Sequence, residues 1–285
     1  EYLTSSASLT SDGRTLVTAA VDGTTRIWDL RSGVERAVLS GTGRAAVLAV
    51  SADGRLALTG DSAKGAQLWN LADGTLLRTL PSHRTDVSAV AFSPDGTMLC
   101  TAEGSGRVNA YRTTDAAPLW TQLVHSRRIT GLLFTRDGKQ LLSASLDNTV
   151  GRFHAADGHE LRPLIWKHPS GVTSLAAAGA KHAVTTCEDG RVRLWTIASG
   201  DESQILPLPE AKYASTGCSP DGRYLAAVDP QSRRIRLYDV VERKELHPEA
   251  KVAAANDAAA PWLDGATQDA LIWSAVFTAD GASLV

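Results

Sequence analysis

The chain has 285 residues, of which 43% are hydrophobic and 21% are charged, and these fractions are those of an ordinary globular protein. They exclude a disordered chain, a collagen-like chain and a coiled coil. The 29 Lys and Arg residues nearly balance the 31 Asp and Glu residues, so the net charge of −2 gives no overall positive field to attract nucleic acid or an anionic membrane.

An aromatic residue recurs along the chain at nearly constant spacing, each time after a strand-like run. The series is Trp28, Trp69, Tyr111, Phe153, Trp195 and Tyr238, with spacings of 41, 42, 42, 42 and 43 residues. The glycines of Asp-Gly pairs follow the same period at Gly13, Gly54, Gly96, Gly138, Gly222 and Gly281, with spacings of 41, 42, 42, 84 and 59 residues. The spacing of 84 is two periods, and the missing turn falls at 176–182. Two independent series with one period indicate a repeat protein.

Each period predicts four β-strands in chain order. In the third period, VSAVAF at 87–92 is an alternating run, SPDG is a tight turn, and MLCTA at 98–102 is a second run. A third run such as RVRLW at 191–195 and a fourth such as TLLRTL at 75–80 complete the unit. A four-stranded sheet cannot bury both faces alone, whereas sheets stacked around an axis bury both. The sequence therefore predicts an all-β propeller of four-stranded antiparallel blades.

The spacing predicts a single propeller over residues 1–285 with seven blades. Their approximate boundaries are 1–40, 41–82, 83–124, 125–167, 168–208, 209–247 and a partial blade at 270–285. Because the last unit has only one strand and a turn before Val285, we expect the parent polypeptide to continue. The spacing of 59 residues leaves an Ala-rich insertion at 248–269, either a surface insertion with little fixed structure or a partner-binding lid anchored by Trp262.

The repeat resembles the WD-repeat β-propeller family. A His before the first strand, an Asp in the second loop and a Trp-Asp pair at the end of the third strand carry the resemblance. Trp28-Asp29, Trp69-Asn70 and Tyr238-Asp239 come closest to that pair, whereas the units at Tyr111, Phe153 and Trp195 keep only the aromatic residue. The resemblance covers nearly the whole chain and implies a protein that binds partners through its loops.

The fifth unit contains the residue types of a hydrolytic triad, with Thr185 as a nucleophile and His168 as a base. The Ser/Thr position nevertheless recurs at Thr18, Thr59, Thr101, Ser143 and Thr185, and a catalytic residue has no reason to recur in every blade. The resemblance implies a structural hydrogen-bonded tetrad of His168, Thr185, Asp189 and Trp195. The fourth unit has His125, Ser143 and Asp147 but Phe153 in place of Trp, and the third has His83 and Thr101 without a clear Asp. We expect the most rigid network in the fifth blade.

Metal and cofactor sites are not predicted. His154, Asp157 and His159 are ligand types close in sequence, but His154 occupies the Asp position after an aromatic residue and Asp157-Gly158 is a routine turn. The glycines at 41–43 and 104–106 lack the spacing of a phosphate-binding loop. Cys100, Cys187 and Cys218 form no CxxC pair and are expected to be reduced thiols.

The predicted function therefore rests on the loop surface. In the resembled family, partners dock on the narrow face, formed by the loop before the first strand and the loop between the second and third strands. In this sequence that face would carry Arg84, Asp86, Arg127, Arg128, Glu188 and Lys212. Their mixed signs favour a protein or peptide partner over a polyanion.

We therefore expect a non-catalytic, monomeric and, by default, cytoplasmic scaffold that binds a protein or peptide partner and neither nucleic acid nor membrane. The alternative is the interaction region of a larger enzyme, such as a kinase or a protease, with its catalytic domain outside this chain.

Overall fold

A computed structural model describes residues 4–20, 22–39, 47–61, 65–81, 83–161, 166–208, 211, 213, 215–229 and 234–246. All regular secondary structure in these residues is β-strand. Within the same ranges, no helix is long and apolar enough to cross a membrane.

The strands fall into successive groups of four, which we call blades 1 to 6. Blade 1 contains β1 (Thr4–Leu9), β2 (Thr15–Ala20), β3 (Thr25–Asp29) and β4 (Val34–Leu39). Blade 2 contains β5 (Val47–Val50), β6 (Leu56–Gly60), β7 (Ala66–Asn70) and β8 (Leu76–Thr79). Blade 3 contains β9 (Val87–Phe92), β10 (Met98–Glu103), β11 (Arg107–Arg112) and β12 (Pro118–Leu123).

The second half of the fold repeats this arrangement. Blade 4 contains β13 (Ile129–Phe134), β14 (Gln140–Ser145), β15 (Thr149–His154) and β16 (Trp166–Lys167). Blade 5 contains β17 (Val172–Ala178), β18 (His182–Cys187), β19 (Val192–Thr196) and β20 (Glu202–Leu206). Blade 6 contains β21 (Ser215–Cys218), β22 (Tyr224–Asp229), β23 (Arg234–Asp239) and β24 (Lys244–Leu246).

Each blade is an antiparallel meander in which neighbours in sequence are neighbours in the sheet. The prediction of four-stranded antiparallel blades is therefore confirmed. The described residues form six blades instead of the seven predicted, and the last described strand ends at Leu246. The predicted partial blade at 270–285 and the insertion at 248–269 lie outside the described residues.

The innermost strands β1, β5, β9, β13, β17 and β21 together line one central channel of about 380 Å³. Hydroxyl-bearing residues face it, including Ser88, Thr130 and Thr216. Because all six first strands line the same channel, the blades surround a common axis, which is the arrangement of a β-propeller.

The hydrophobic core lies between neighbouring blades. Leu58 and Leu68 of blade 2 pack in one cluster with Leu99 and Tyr111 of blade 3, and all four side chains are almost fully buried. Burying one leucine of this kind contributes roughly 1.5–3 kcal/mol. Four of the six periodic aromatic residues belong to clusters that join two neighbouring blades, namely Trp69, Tyr111, Trp195 and Tyr238.

The Asp-Gly turns join the first and second strands of a blade. In blade 3, the hydroxyl of Ser93 donates to Asp95 at 2.6 Å and the backbone N–H of Thr97 donates to the same carboxylate oxygen at 3.0 Å. Gly96 has a φ of +69°, a backbone conformation that residues other than glycine rarely adopt. The same hydroxyl and carboxylate pairing is present at Thr10–Asp12, Ser51–Asp53, Thr135–Asp137 and Ser219–Asp221. Blade 5 makes its turn without an Asp, around Gly179.

Candidate partner-binding face

A hydrogen-bonded chain ties the entry loop of blade 5 to its third strand. The indole N–H of Trp195 donates to the hydroxyl oxygen of Thr185 at 2.8 Å, and the same oxygen lies 2.9 Å from Nε2 of His168. His168 Nδ1 lies 3.3 Å from the backbone oxygen of Trp166, so Nδ1 carries the proton and Nε2 accepts the Thr185 proton. Trp166 also stacks on Trp195, with ring centroids 5.2 Å apart.

Asp189 does not join this chain, which corrects the predicted tetrad. Its carboxylate accepts two hydrogen bonds from the guanidinium of Arg193, at 2.5 and 3.1 Å. Arg193 projects from β19 with a side chain only 5% exposed, and it also lies 3.3 Å from the Glu202 carboxylate. A bidentate pair with a buried cation is stronger than a single bond to a neutral imidazole, so the aspartate turns towards Arg193.

Burial of His168 and the ion pair of Asp189 with Arg193 fix the protonation states in this network. Burial lowers the pKa of His168 to about 4, because a buried imidazolium is poorly solvated. Burial alone would raise the pKa of Asp189, but the bonds from Arg193 outweigh it and the pKa is lowered. At neutral pH the network therefore consists of a neutral imidazole beside a separate ion pair.

Blade 4 contains the His–Asp hydrogen bond that is absent from blade 5. Nδ1 of His125 donates to the Asp147 carboxylate at 2.9 Å, and Nε2 lies 2.7 Å from the Ser143 hydroxyl. Thr149 also donates to Asp147, and these bonds lower its pKa well below the ordinary value although burial opposes the shift. Phe153 offers no N–H to Ser143, as the sequence predicted. The expectation that the blade 5 tetrad is the more complete one is wrong because Asp189 bonds Arg193 instead of His168. Each of the two blades holds three members of the tetrad.

Blade 3 carries a carboxylate that the sequence analysis missed. Glu103 is fully buried at the end of β10, two residues after Thr101, whereas the expected Asp would follow four residues after it. Its oxygens accept hydrogen bonds from Asn109 at 2.9 Å and from the backbone N–H of Arg84 at 3.3 Å. A carboxylate inside the strand, followed by Gly-Ser-Gly in place of Asp, was the available signal.

These networks hold the loops on one end of the propeller, which carries most of the predicted partner-binding residues. Arg128 of blade 4 forms an ion pair with Asp86 of blade 3. Arg127 donates to the backbone oxygen of Leu146 at 2.9 Å. The loops of blades 3 and 4 are therefore joined directly by charged side chains.

Blade 5 continues the same surface. The Leu146 side chain packs beside Gly171, whose backbone oxygen accepts the N–H of Glu188 at 2.9 Å. The side chains of Arg84 and Glu188 are exposed, and no described residue hydrogen-bonds or ion-pairs with either charged group. Lys212 lies outside the described residues. We call the surface formed by Arg84, Asp86, Arg127, Arg128 and Glu188 the charged loop face.

Four segments of the chain match the model of a known repeat family. The model of the WD domain, G-beta repeat (WD40), matches residues 4–29, 74–111, 117–151 and 162–196. The chain belongs to the WD-repeat family. No curated protein matches it significantly.

The WD40 matches are out of phase with the blades. The match at 117–151 begins with β12, the outer strand of blade 3, and continues through the inner strands of blade 4. The match at 162–196 bridges blades 4 and 5 in the same way. Three of the four matches therefore contribute strands to two blades, whereas the match at 4–29 covers β1 to β3 of blade 1.

The WD-repeat geometry also bears on the catalytic and metal hypotheses. The Thr185 hydroxyl is fully buried and bonded on both sides, so a substrate cannot reach it. His154 lies 3.3 Å from Asp157 in an exposed turn. In the described part of the chain, no three His, Cys, Asp or Glu side chains cluster closely enough to hold a metal ion. All three cysteines are free thiols.

Proposed function

We propose that this WD-repeat protein is a non-catalytic scaffold that binds a protein or peptide partner on the charged loop face. The observation that carries the proposal is the pair of exposed charges at Arg84 and Glu188, neither of which is paired with another described residue. They have opposite signs and belong to the same continuous surface as the Arg128–Asp86 pair.

The charge pattern supports a protein partner in particular. Guanidinium groups pair with partner carboxylates through two parallel bonds, and Glu188 pairs with a partner cation. A surface with both signs discriminates among partners by the spacing of their charges, whereas nucleic acid requires one continuous positive sign. The buried His–Ser/Thr chains beneath keep the loops rigid, so little ordering entropy is lost on binding.

A charge exchange tests this proposal. The Arg84→Glu/Glu188→Arg variant keeps the net charge but reverses the pattern, and Lys139→Glu is a control in an exposed turn at the opposite end of the propeller. Crosslinked complexes captured from cells that make the protein are quantified by mass spectrometry. We expect a specific protein to fall at least about tenfold with the exchange and not with the control. An equal loss with Lys139→Glu, or no loss with the exchange, contradicts the proposal.

We also propose that residues 270–285 contribute to a seventh blade beside blade 6. The two faces of the blade 6 sheet support this. On one face, Leu225, Ala227 and Tyr238 pack against blade 5. On the other face, Ala226 and Val228 form a separate apolar cluster. That second cluster faces the position of the next blade. Deleting 270–285 should lower the melting temperature, and an unchanged melting temperature contradicts this assignment.

A further inference from the structure

A second cavity lies at the end of the propeller opposite the charged loop face. It has a volume of about 320 Å³ and opens among the first turns of blades 4, 5 and 6. Arg128 immediately precedes strand β13 (Ile129–Phe134) and Arg136 lies in the turn that follows it, so the two surfaces are separated by the length of a strand. A partner on one surface does not block the other.

The wall of this cavity is mainly apolar. Leu133 and Phe134 come from blade 4, Ala177 and Ile197 from blade 5, and Cys218 from blade 6. A volume near the lower end of the roughly 300–1,000 Å³ range of ligand sites fits one side chain better than a large ligand. The cavity therefore suits a single aliphatic group.

The hydroxyl groups at the mouth are already occupied. Thr135 donates to Asp137 at 2.6 Å, and Ser219 donates to Asp221 at 2.5 Å. A ligand consequently gains few hydrogen bonds from them.

Among the described residues that line the cavity, Arg136 alone is charged. It is exposed, and in the described ranges no residue forms a hydrogen bond or an ion pair with its guanidinium. An arginine without a partner at the mouth of an apolar cavity is suited to a carboxylate that lies next to an apolar group.

We propose that this cavity is a second docking site, which binds an aliphatic side chain of a protein partner while Arg136 pairs with an acidic residue beside it in the partner sequence. The chain then holds two proteins at once, one on each end of the propeller. Docking in the cavity is independent of the charged loop face, because the two sites share no residue, whereas the simultaneous binding of two proteins rests on the proposed function.

Methyl NMR of the full chain tests the proposal with a short peptide, acetyl-Gly-Asp-Leu-Asp-Gly-amide. We expect saturable shifts of the Leu133 and Ile197 methyl groups and a dissociation constant on the order of millimolar. An analogue with Ala in place of the peptide Leu should bind at least about tenfold more weakly. An analogue with Asn in place of both Asp residues should bind about twofold to fivefold more weakly, as for an exposed ion pair.

Three variants assign the binding to the cavity. Ala177→Leu places a larger side chain in the cavity from an exposed position and should abolish the shifts. Arg136→Gln should remove the preference for Asp over Asn in the peptide, whereas the neighbouring exposed Lys139→Gln should retain it. Melting temperatures of all three should stay at the wild-type value.

Three results overturn the proposal. The first is the absence of methyl shifts with the peptide, and the second is an Asp preference that survives Arg136→Gln. The third is binding of isovalerate without binding of the peptide, which assigns the cavity to small carboxylic acids instead of a protein. The charged loop face is unaffected by each of these results.

Discussion

Arg193 holds the Asp189 carboxylate at 2.5 Å, and this ion pair leaves the Thr185 hydroxyl as the side-chain partner of His168 in the described structure. Thr185 is therefore the centre of the blade 5 network, since it accepts the indole proton of Trp195 and donates to the imidazole. Two buried polar groups depend on a single hydroxyl.

Replacing Thr185 by Val keeps the shape of the side chain but leaves the Trp195 N–H and His168 Nε2 without their partner. A buried polar group without a hydrogen bond costs about 1–3 kcal/mol, so we expect the free energy of unfolding to fall by about 2–4 kcal/mol. Urea denaturation measures this loss. Thr196→Val is the matched control, because its hydroxyl bonds Ser203 at an exposed position and its loss should stay below about 0.5 kcal/mol. Equal losses in the two variants would contradict the central place of Thr185.

A second prediction concerns the contact between Trp120 and the last turn of blade 4. The Trp120 indole donates to the backbone oxygen of Ala155 at 2.8 Å, and its ring covers Gly158, where an added Cβ would lie only 2.6 Å from ring atoms. Gly158→Ala should therefore displace Trp120 in addition to straining a residue with a φ of +71°. Gly96 has a nearly equal φ of +69° and open space around it, so Gly96→Ala carries the backbone strain alone.

We expect Gly96→Ala to cost about 1–2 kcal/mol and Gly158→Ala to cost measurably more. Chemical denaturation gives both values, and tryptophan fluorescence reports the displaced indole. The excess should disappear when Trp120 is also replaced by Leu. If the extra loss of stability caused by Gly158→Ala persists in the Trp120→Leu background, the contact with Trp120 is not its cause.

The period of the sequence was sufficient to predict four-stranded antiparallel blades, because the Asp-Gly turn performs the same physical task in five of the six described sheets. Ser93, Asp95 and Gly96 show why, since the carboxylate, the hydroxyl and a positive φ are all needed within four residues. Such local requirements are visible in a linear pattern.

The tetrad was predicted less well because its bonds depend on competition in three dimensions. Asp189 has the expected residue type at the expected position, but Arg193 on the next strand offers it a stronger partner. Glu103 is the opposite example, because its position was not expected but its carboxylate accepts a hydrogen bond from the loop. Both outcomes depend on which side chains reach the same space, and residue spacing alone does not contain that information.

The acid sensitivity of the fold provides a third prediction. His168 has a pKa lowered from 6.5 to about 4, so between these values the unfolded chain binds a proton that the folded protein does not. The free energy of unfolding is therefore unaffected by this group above about pH 6.5. It falls by up to about 3 kcal/mol as the pH decreases towards 4. Burial lowers the pKa of His83 as well, so blade 3 acts in the same direction. The depressed pKa of Asp147 adds a further loss at more acidic pH.

Urea denaturation at several pH values measures this dependence. His168→Gln should be less sensitive than the wild type between pH 6.5 and 4, since the residue that takes up the proton on unfolding is absent. NMR should show the His168 ring protons titrating near pH 4. A variant that loses stability as steeply as the wild type over this range would show that other groups cause the acid sensitivity.

The last prediction separates binding from stability on the charged loop face. Arg127 and Arg128 are both exposed, and within the described residues their side chains bond one backbone oxygen and the Asp86 carboxylate. Exposed ion pairs contribute at most about 1 kcal/mol, so replacing both arginines by Ala should lower the free energy of unfolding by no more than that. Recovery of a crosslinked partner should nevertheless fall severalfold, because two cations of the proposed binding face are lost. Arg55→Ala/Lys139→Ala removes two exposed cations from turns at the opposite end, and this control should retain the partner. A partner that is kept by the first variant and lost by the second would move the binding site to the other end of the propeller.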